Sequence, residues 1–236
     1  MSIKYLLEIG VEEMPARLIA DACSQLQMNI EKLLKSERLS FEAVTILSTP
    51  RRLTCVVEGL GEFGGSEEMT VKGPAKRIAF DESGEPTKAL LGFIKGQTVT
   101  LEDVFIQELN GEEYVYAIVR KEGKAVEKVL EENLAEAIKA IGCPKSMRWG
   151  GKNIKFARPI RWLVSILDDK VLPFDLEGIQ ASNITKGHRF LGSQEIVIDN
   201  VDSYKKLLEE NFVIVDPEER KDMIRYGAEK LAREKG

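Results

Sequence analysis

The sequence predicts an α+β protein in which mixed or antiparallel sheets pack against helices, in two or more compact units. Three observations carry this. Residues 104–109 and 114–120 read as strands split by Asn110-Gly111, a pair suited to the backbone of a tight hairpin. Val126, Leu130, Leu134, Ala137, Ile138 and Ile141 recur at helical spacing and define an amphipathic helix. Strands and helices otherwise follow one another without a regular β-α-β alternation, which separates the chain from the parallel α/β class.

Taken in order, residues 5–9 (Tyr-Leu-Leu-Glu-Ile) form a buried first strand. Pro15 then opens a helix through Leu18, Ile19, Ala22, Leu26, Ile30 and Leu33. Residues 41–47 and 53–57 are strands joined by Thr49-Pro50-Arg51-Arg52, and the glycines of 59–65 end this first unit, 1–65. The second, 66–144, holds a short strand at 69–72, a turn at Gly73-Pro74, a helix begun by Pro86, the hairpin and the amphipathic helix. The third, 145–200, is basic and aromatic, with strands at 163–167, 171–176 and 196–198. The fourth, 201–236, is helical. Its last helix starts at Asp216-Pro217-Glu218-Glu219, which supplies a capping carboxylate, proline at the first position and acid in the first turn.

The chain has 236 residues with 34 Lys and Arg against 39 Asp and Glu, a net charge of −5. Any surface for nucleic acid must therefore be a local basic cluster. Cys23, Cys55 and Cys143 are odd in number and far apart, as expected of reduced core thiols. The start lacks a signal-peptide pattern and no apolar run approaches the ~20 residues that cross a bilayer, so a cytoplasmic protein with no membrane partner is expected. His188 is the one histidine, which excludes multi-histidine metal sites and HExxH proteases. No catalytic residue and no metal ligand set is expected.

Gly59-Leu60-Gly61-Glu62-Phe63-Gly64 matches the dinucleotide fingerprint in letters only. That fingerprint needs a helix beginning at the glycines, and here acidic residues and a strand-like run follow. Around Gly151-Lys152 a phosphate-binding loop fails, because Ser146 stands where glycine is needed and Asn153 where Ser or Thr is.

The strongest chemical signal is residues 145–162, which carry Lys145, Arg148, Lys152, Lys155, Arg158 and Arg161 and no acid. Trp149, Phe156 and Trp162 are interleaved, and Gly150 and Gly151 permit close backbone approach. Cations attract phosphate and aromatic faces stack on exposed bases. The same residues equally suit a core, with the cations paired to acids elsewhere, and Trp162 at the start of an apolar strand suits the core better. Lys186, His188 and Arg189 form a second basic loop, with His188 read as a structural hydrogen-bonding residue. Arg51 and Arg52 present guanidinium forks at a strand connection, suited to phosphate, to a partner's carboxylates, or to an internal pair with Glu8, Glu12 or Glu13.

These stretches also carry a resemblance. Residues 7–15, LEIGVEEMP, resemble the family opening EIGTEELP of the bacterial glycine–tRNA ligase β subunit. Thr49-Pro50-Arg51-Arg52-Leu53, Lys72-Gly73-Pro74-Ala75, Phe80-Asp81, Pro86-Thr87-Lys88-Ala89, Met147-Arg148-Trp149-Gly150, Phe156-Ala157-Arg158-Pro159-Ile160-Arg161-Trp162 and Gly187-His188-Arg189-Phe190 are similar to that family in the same order. Val11, Met14, Ile160 and Arg161 depart from its commonest residues. The resemblance implies an α₂β₂ enzyme that joins glycine to tRNA(Gly), with ATP and Mg used through the α subunit and no cofactor in this segment. It also implies that the β subunit is longer than this chain. The two class II ATP motifs, an Arg-bearing strand-loop and a later Gly-Arg, are not found here.

The expected role is tRNA binding and subunit docking. Lys145, Arg148, Trp149, Lys152, Lys155, Arg158, Arg161, Lys186, His188 and Arg189 are the tRNA candidates; Arg51 and Arg52 are the candidates for α docking or the acceptor end. The competing expectation is a scaffold for the α subunit without RNA contact.

Overall fold

The computed structural model describes residues 3–81, 83–151 and 153–235. The chain forms two compact units, Met1–Gly64 with Lys124–Gly236, and Gly65–Gly123. The first unit opens with β1 (Ile3–Val11), α1 (Ala16–Ser36), β2 (Ala43–Thr49) and β3 (Arg52–Leu60). The second holds β4 (Glu67–Ala75), α2 (Lys76–Ala79), α3 (Lys88–Gln97), β5 (Val104–Leu109) and β6 (Glu112–Lys121). The chain then returns to the first unit with α4 (Val126–Lys139), β7 (Ile160–Leu167), β8 (Lys170–Val171), β9 (Ala181–Ser182), β10 (Ile184–Thr185), β11 (Ile196–Val197), α5 (Tyr204–Glu210) and α6 (Pro217–Lys235). This is the expected α+β class.

In the first unit the strand order is β2-β3-β1-β7-β8, with β9 parallel to β7 on its outer edge. β1 is central, antiparallel to β3 and β7, and is buried from Tyr5 to Val11 because both sheet faces are covered. Side chains alternate across a strand. Tyr5, Leu7, Ile9 and Val11 therefore face one layer, formed by Ala22, Leu26, Ile30 and Leu34 of α1 and Val129, Leu130, Leu134 and Ile138 of α4. That layer explains why α4 belongs to the first unit rather than to the hairpin stretch 66–144: its apolar stripe covers the same sheet as α1. Each such fully buried aliphatic side chain contributes about 1.5–3 kcal/mol. Leu6 faces the opposite layer with Leu47, Trp162, Val164, Ile166 and Tyr204 and Leu208 of α5.

The second unit is a sheet of order β4-β6-β5, with α2 and α3 packing Ala79 and Leu90 against Val115. Its β5–β6 hairpin turns at Asn110 and Gly111, both at positive φ as that turn requires.

Two local expectations change. Gly73-Pro74 lies inside β4 rather than in a turn, and the register with β6 shifts between Lys72 and Ala75. A bulge absorbs a proline that has no amide for the ladder. The strand expected at 171–176 stops at Val171, because Pro173 cannot extend it. The glycines at 59–64 close β3 and lead to a bridge between Phe63 and Ala125, with no helix starting there. Asp216 caps α6 through Oδ1, which accepts from the Glu218 amide at 3.0 Å. No helix among the described residues is long and apolar enough to cross a membrane.

Candidate nucleic-acid interface

The site grows from the even-numbered face of β1. The register aligns Thr49, Arg52, Gly10 and Trp162 across β2, β3, β1 and β7, and places Leu47, Thr54, Glu8 and Val164 in the neighbouring row. Gly10 has no side chain, so the Trp162 indole lies across β1; a Cβ there would sit 2.0 Å from the ring. The indole Nε1 reaches along the strand and donates to Glu8.

Glu8 is fully buried and accepts four hydrogen bonds: from Trp162, from the Tyr204 hydroxyl, from Thr185 Oγ1 at 2.6 Å, and from Arg52 Nη1 at 3.4 Å. Buried charge persists where it is paired and hydrogen-bonded, and this one is both. Burial first, then the Glu8 carboxylate, push the Tyr204 phenol well above its usual pKa and keep it a donor. Arg52 is 1% exposed, and its Nη2 also donates to the Lys186 carbonyl at 2.5 Å. Its expected role as an external docking or acceptor-end group is therefore corrected: of the alternatives, the internal pair with Glu8 is the one formed. The paired strands carry the residues to that position, and the carboxylate holds the guanidinium inside.

Arg51, the next residue out, is half-buried, and its Nε has no hydrogen-bond partner. Its pKa is pushed down by burial first and then by the Arg189 guanidinium; Arg52 acts in the same direction, and Glu12 and Glu13 oppose. Arg51, Arg52 and Lys186 all lie over the Trp162 ring, at 5.9, 5.8 and 5.6 Å from its centre. Trp162 is 7% exposed, so it supports these cations from within the core.

The predicted cations divide into two groups. Arg158 donates to the backbone carbonyls of Glu13 and Ala157 at 3.1 and 3.0 Å. Arg161 pairs with Glu12 at 3.3 Å, and Arg189 with Glu12 at 3.7 Å and Glu13 at 3.5 Å. These pairs are exposed, and pairs of that kind contribute little and exchange readily. Lys145, Arg148 and Lys155 are exposed and have no ion-pair partner among the described residues. They flank a loop closed by the bridge between Met147 and Phe156, whose amides and carbonyls exchange hydrogen bonds at 2.9 and 3.2 Å. Gly150 and Gly151 at its apex have φ of 58° and 71°, a left-handed pair for which glycine is suited. Half-buried Trp149 and buried Ile154 and Phe156 anchor the loop to the core, while Glu177 accepts the amides of Asn153 and Ile154. Lys152 lies outside the described residues.

His188 is half-buried and structural in its contacts: Nδ1 accepts from the amides of Phe190 and Leu191 at 3.3 and 3.2 Å. Its loop borders a pocket of about 400 Å³ whose lining includes Thr49, Arg51, Arg189, Phe190, Phe212 and Arg220. The sequence offers Glu8 as one possible partner of Arg51 and Arg52 without placing it at the centre of the site, and it does not single out Phe212 or Arg220. An acid at an inward position of an otherwise apolar strand was the available signal for Glu8; Phe212 and Arg220 had none, because they reach the pocket only through the return of the chain after α5.

Comparison with known proteins agrees with the motifs. A family model described as glycyl-tRNA synthetase beta subunit matches residues 5–236. Proteins named glycine–tRNA ligase beta subunit are similar in Clostridioides difficile, 50% identical over 222 residues covering 94% of this chain and 32% of that protein. In Halalkalibacterium halodurans the identity is 44% over 231 residues, 98% of this chain and 33% of that protein. In Natranaerobius thermophilus it is 42% over 227 residues, 96% and 33%. The chain thus spans about a third of the length of the curated relatives it matches. Since the match runs from β1 to the end of the sequence through both compact units, the chain belongs to the glycyl-tRNA synthetase beta-subunit family.

Proposed function

We propose that this chain is a tRNA-binding and subunit-docking segment of a glycine–tRNA ligase, holding tRNA(Gly) while an α subunit supplies the ATP-dependent chemistry. The assembled reaction is ATP + glycine + tRNA → glycyl-tRNA + AMP + pyrophosphate, in an α₂β₂ enzyme of the cytoplasm, with ATP and Mg held by the α subunit. The observation that carries the RNA role is the loop between Met147 and Phe156. It holds Arg148 and Lys155 exposed and without an acid partner among the described residues, beside equally exposed Lys145, on a chain whose net charge is negative. Cations left unneutralised on an anionic body are the groups that gain most from releasing counterions along a phosphate backbone.

The scaffold reading has its own support in the pairing of Arg161 and Arg189 with Glu12 and Glu13, which leaves less free positive charge than the sequence suggests. The two readings part on one variant. Replacing Arg148→Glu and Lys155→Glu together in the assembled enzyme is expected to weaken tRNA binding tenfold or more, with α association unchanged. Direct binding of labelled tRNA checks this. Unchanged tRNA affinity would leave the scaffold role in place of the RNA one.

A further inference from the structure

The pocket beside the 187–192 loop is built differently from the cationic loop. Residues 187–192 are braced from within and against α5. The Gly187 amide donates to the Ser193 carbonyl at 2.7 Å, the Gly192 amide to the His188 carbonyl at 3.0 Å, and the His188 amide to the Asn211 carbonyl at 2.9 Å. A Cβ at Gly192 would meet the Asn211 carbonyl at 2.4 Å, and one at Gly187 would meet Asn211 and the Ser193 carbonyl near 3 Å, so the loop packs tightly at both ends. This bracing nevertheless leaves Phe190 85% exposed at the tip, with Phe212 60% exposed across the same pocket. Two phenyl rings this exposed at one pocket mouth are available to stack on or pack against a ligand.

The lining is mainly apolar and sets Arg51, Arg52, Arg189 and Arg220 against one acid, Glu13. Arg51 lines the pocket half-buried, with its guanidinium over the Trp162 ring. Arg220 commits Nη1 to the carbonyls of Ser48 and Ile214, both at 2.7 Å, which fixes the guanidinium in place. Arg189 is held by exposed ion pairs with Glu12 and Glu13, which an anion can displace. The partly desolvated Arg51 guanidinium is repelled by Arg189 and Arg52 and attracted by Glu12 and Glu13. His188, whose Nδ1 is occupied by backbone amides, retains Nε2 as a donor.

We propose that this pocket binds an unpaired, phosphorylated nucleotide of RNA, with the phosphate among Arg51, Arg189 and Arg220 and the base against Phe190. The proposal rests on the RNA-handling reading and deepens it by adding a site for one unstacked nucleotide, separate from the phosphate-tracking loop. Guanidiniums beside an exposed aromatic face fit phosphate plus base, since only an unpaired base offers its π face. A peptide of acids alone, such as hexaglutamate, would satisfy the arginines and offer no flat π face to Phe190.

The test titrates the full chain with adenosine 5′-monophosphate and, separately, with ribose 5-phosphate, by calorimetry. The expected result is saturable 1:1 binding of the nucleotide, weakened on the order of tenfold by Phe190→Ala and likewise by Arg51→Gln. Ribose 5-phosphate is expected to bind more weakly and to ignore Phe190→Ala. At 85% exposure Phe190 carries little of the fold, so its removal reads binding alone. Arg148→Glu with Lys155→Glu is expected to leave nucleotide binding intact, which keeps failure of the tRNA-loop reading distinct from failure of this one. No saturable nucleotide binding, binding indifferent to both variants, or Arg51-dependent binding of a hexaglutamate peptide that the nucleotide does not displace would each overturn the proposal.

Discussion

Replacing Arg52→Met is expected to destabilise the first unit by roughly 3–5 kcal/mol, because it strands the Glu8 carboxylate in the core without its cation. Glu8 would keep three neutral donors, Trp162, Tyr204 and Thr185, yet it sits at 0% exposure between strands that admit no solvent. Glu8→Gln alone is expected to be costly as well, since it strands the guanidinium instead. The combination Glu8→Gln with Arg52→Met removes both charges, and its cost is expected to fall well short of the sum of the two. Both tryptophans, Trp149 and Trp162, lie in the first unit, so denaturation followed by tryptophan fluorescence reports the right equilibrium. Additive costs would show that the pair is not coupled and that the carboxylate is held by its neutral donors.

Gly10→Ala is expected to cost about 3 kcal/mol, an effect larger than helix or strand propensity accounts for. The new methyl would stand 2.0 Å from Cδ2 and Cε2 of the indole, a contact no rotamer of Trp162 relieves while Nε1 still reaches Glu8. Overpacking of this kind typically costs 1–3 kcal/mol, and loss of a hydrogen bond to a buried carboxylate adds to it. The mechanism has a clear signature. In a Trp162→Val background, where the ring is gone, Gly10→Ala should cost far less. An equal cost in both backgrounds would place the strain in the β1 backbone instead. Where the ring gives way, the cations that rest over Trp162 would shift with it, which links this core contact to the pocket outside it.

The fold was legible wherever local pattern decides. β1, α1, the hairpin at Asn110-Gly111, α4 and the Asp216 cap follow from periodicity and turn chemistry, and each lies where those rules place it. Prolines misled in two places because their effect depends on neighbours: Pro74 is carried by a bulge in β4, and Pro173 ends a strand that hydrophobicity alone would continue. The site was half legible. Lys145, Arg148 and Lys155 are exposed as a charge count suggests, but the fates of Arg52, Arg158, Arg161 and Arg189 depend on Glu8, Glu12 and Glu13, over a hundred positions away for three of the four. Sheet register brings those groups together, and no window of sequence contains it. Phe190 was within a recognisable motif, yet its exposure depends on the packing of Gly187 and Gly192 against Asn211.

The central claim is electrostatic, and a salt titration reads it most directly. The affinity of the assembled enzyme for tRNA, measured from low to moderate salt, gives a slope that counts the phosphate contacts made. Removing Arg148 and Lys155 is expected to reduce that slope by about two, one for each lost contact. A slope identical in wild type and variant would contradict the account, because it would mean that these two exposed cations meet no phosphate.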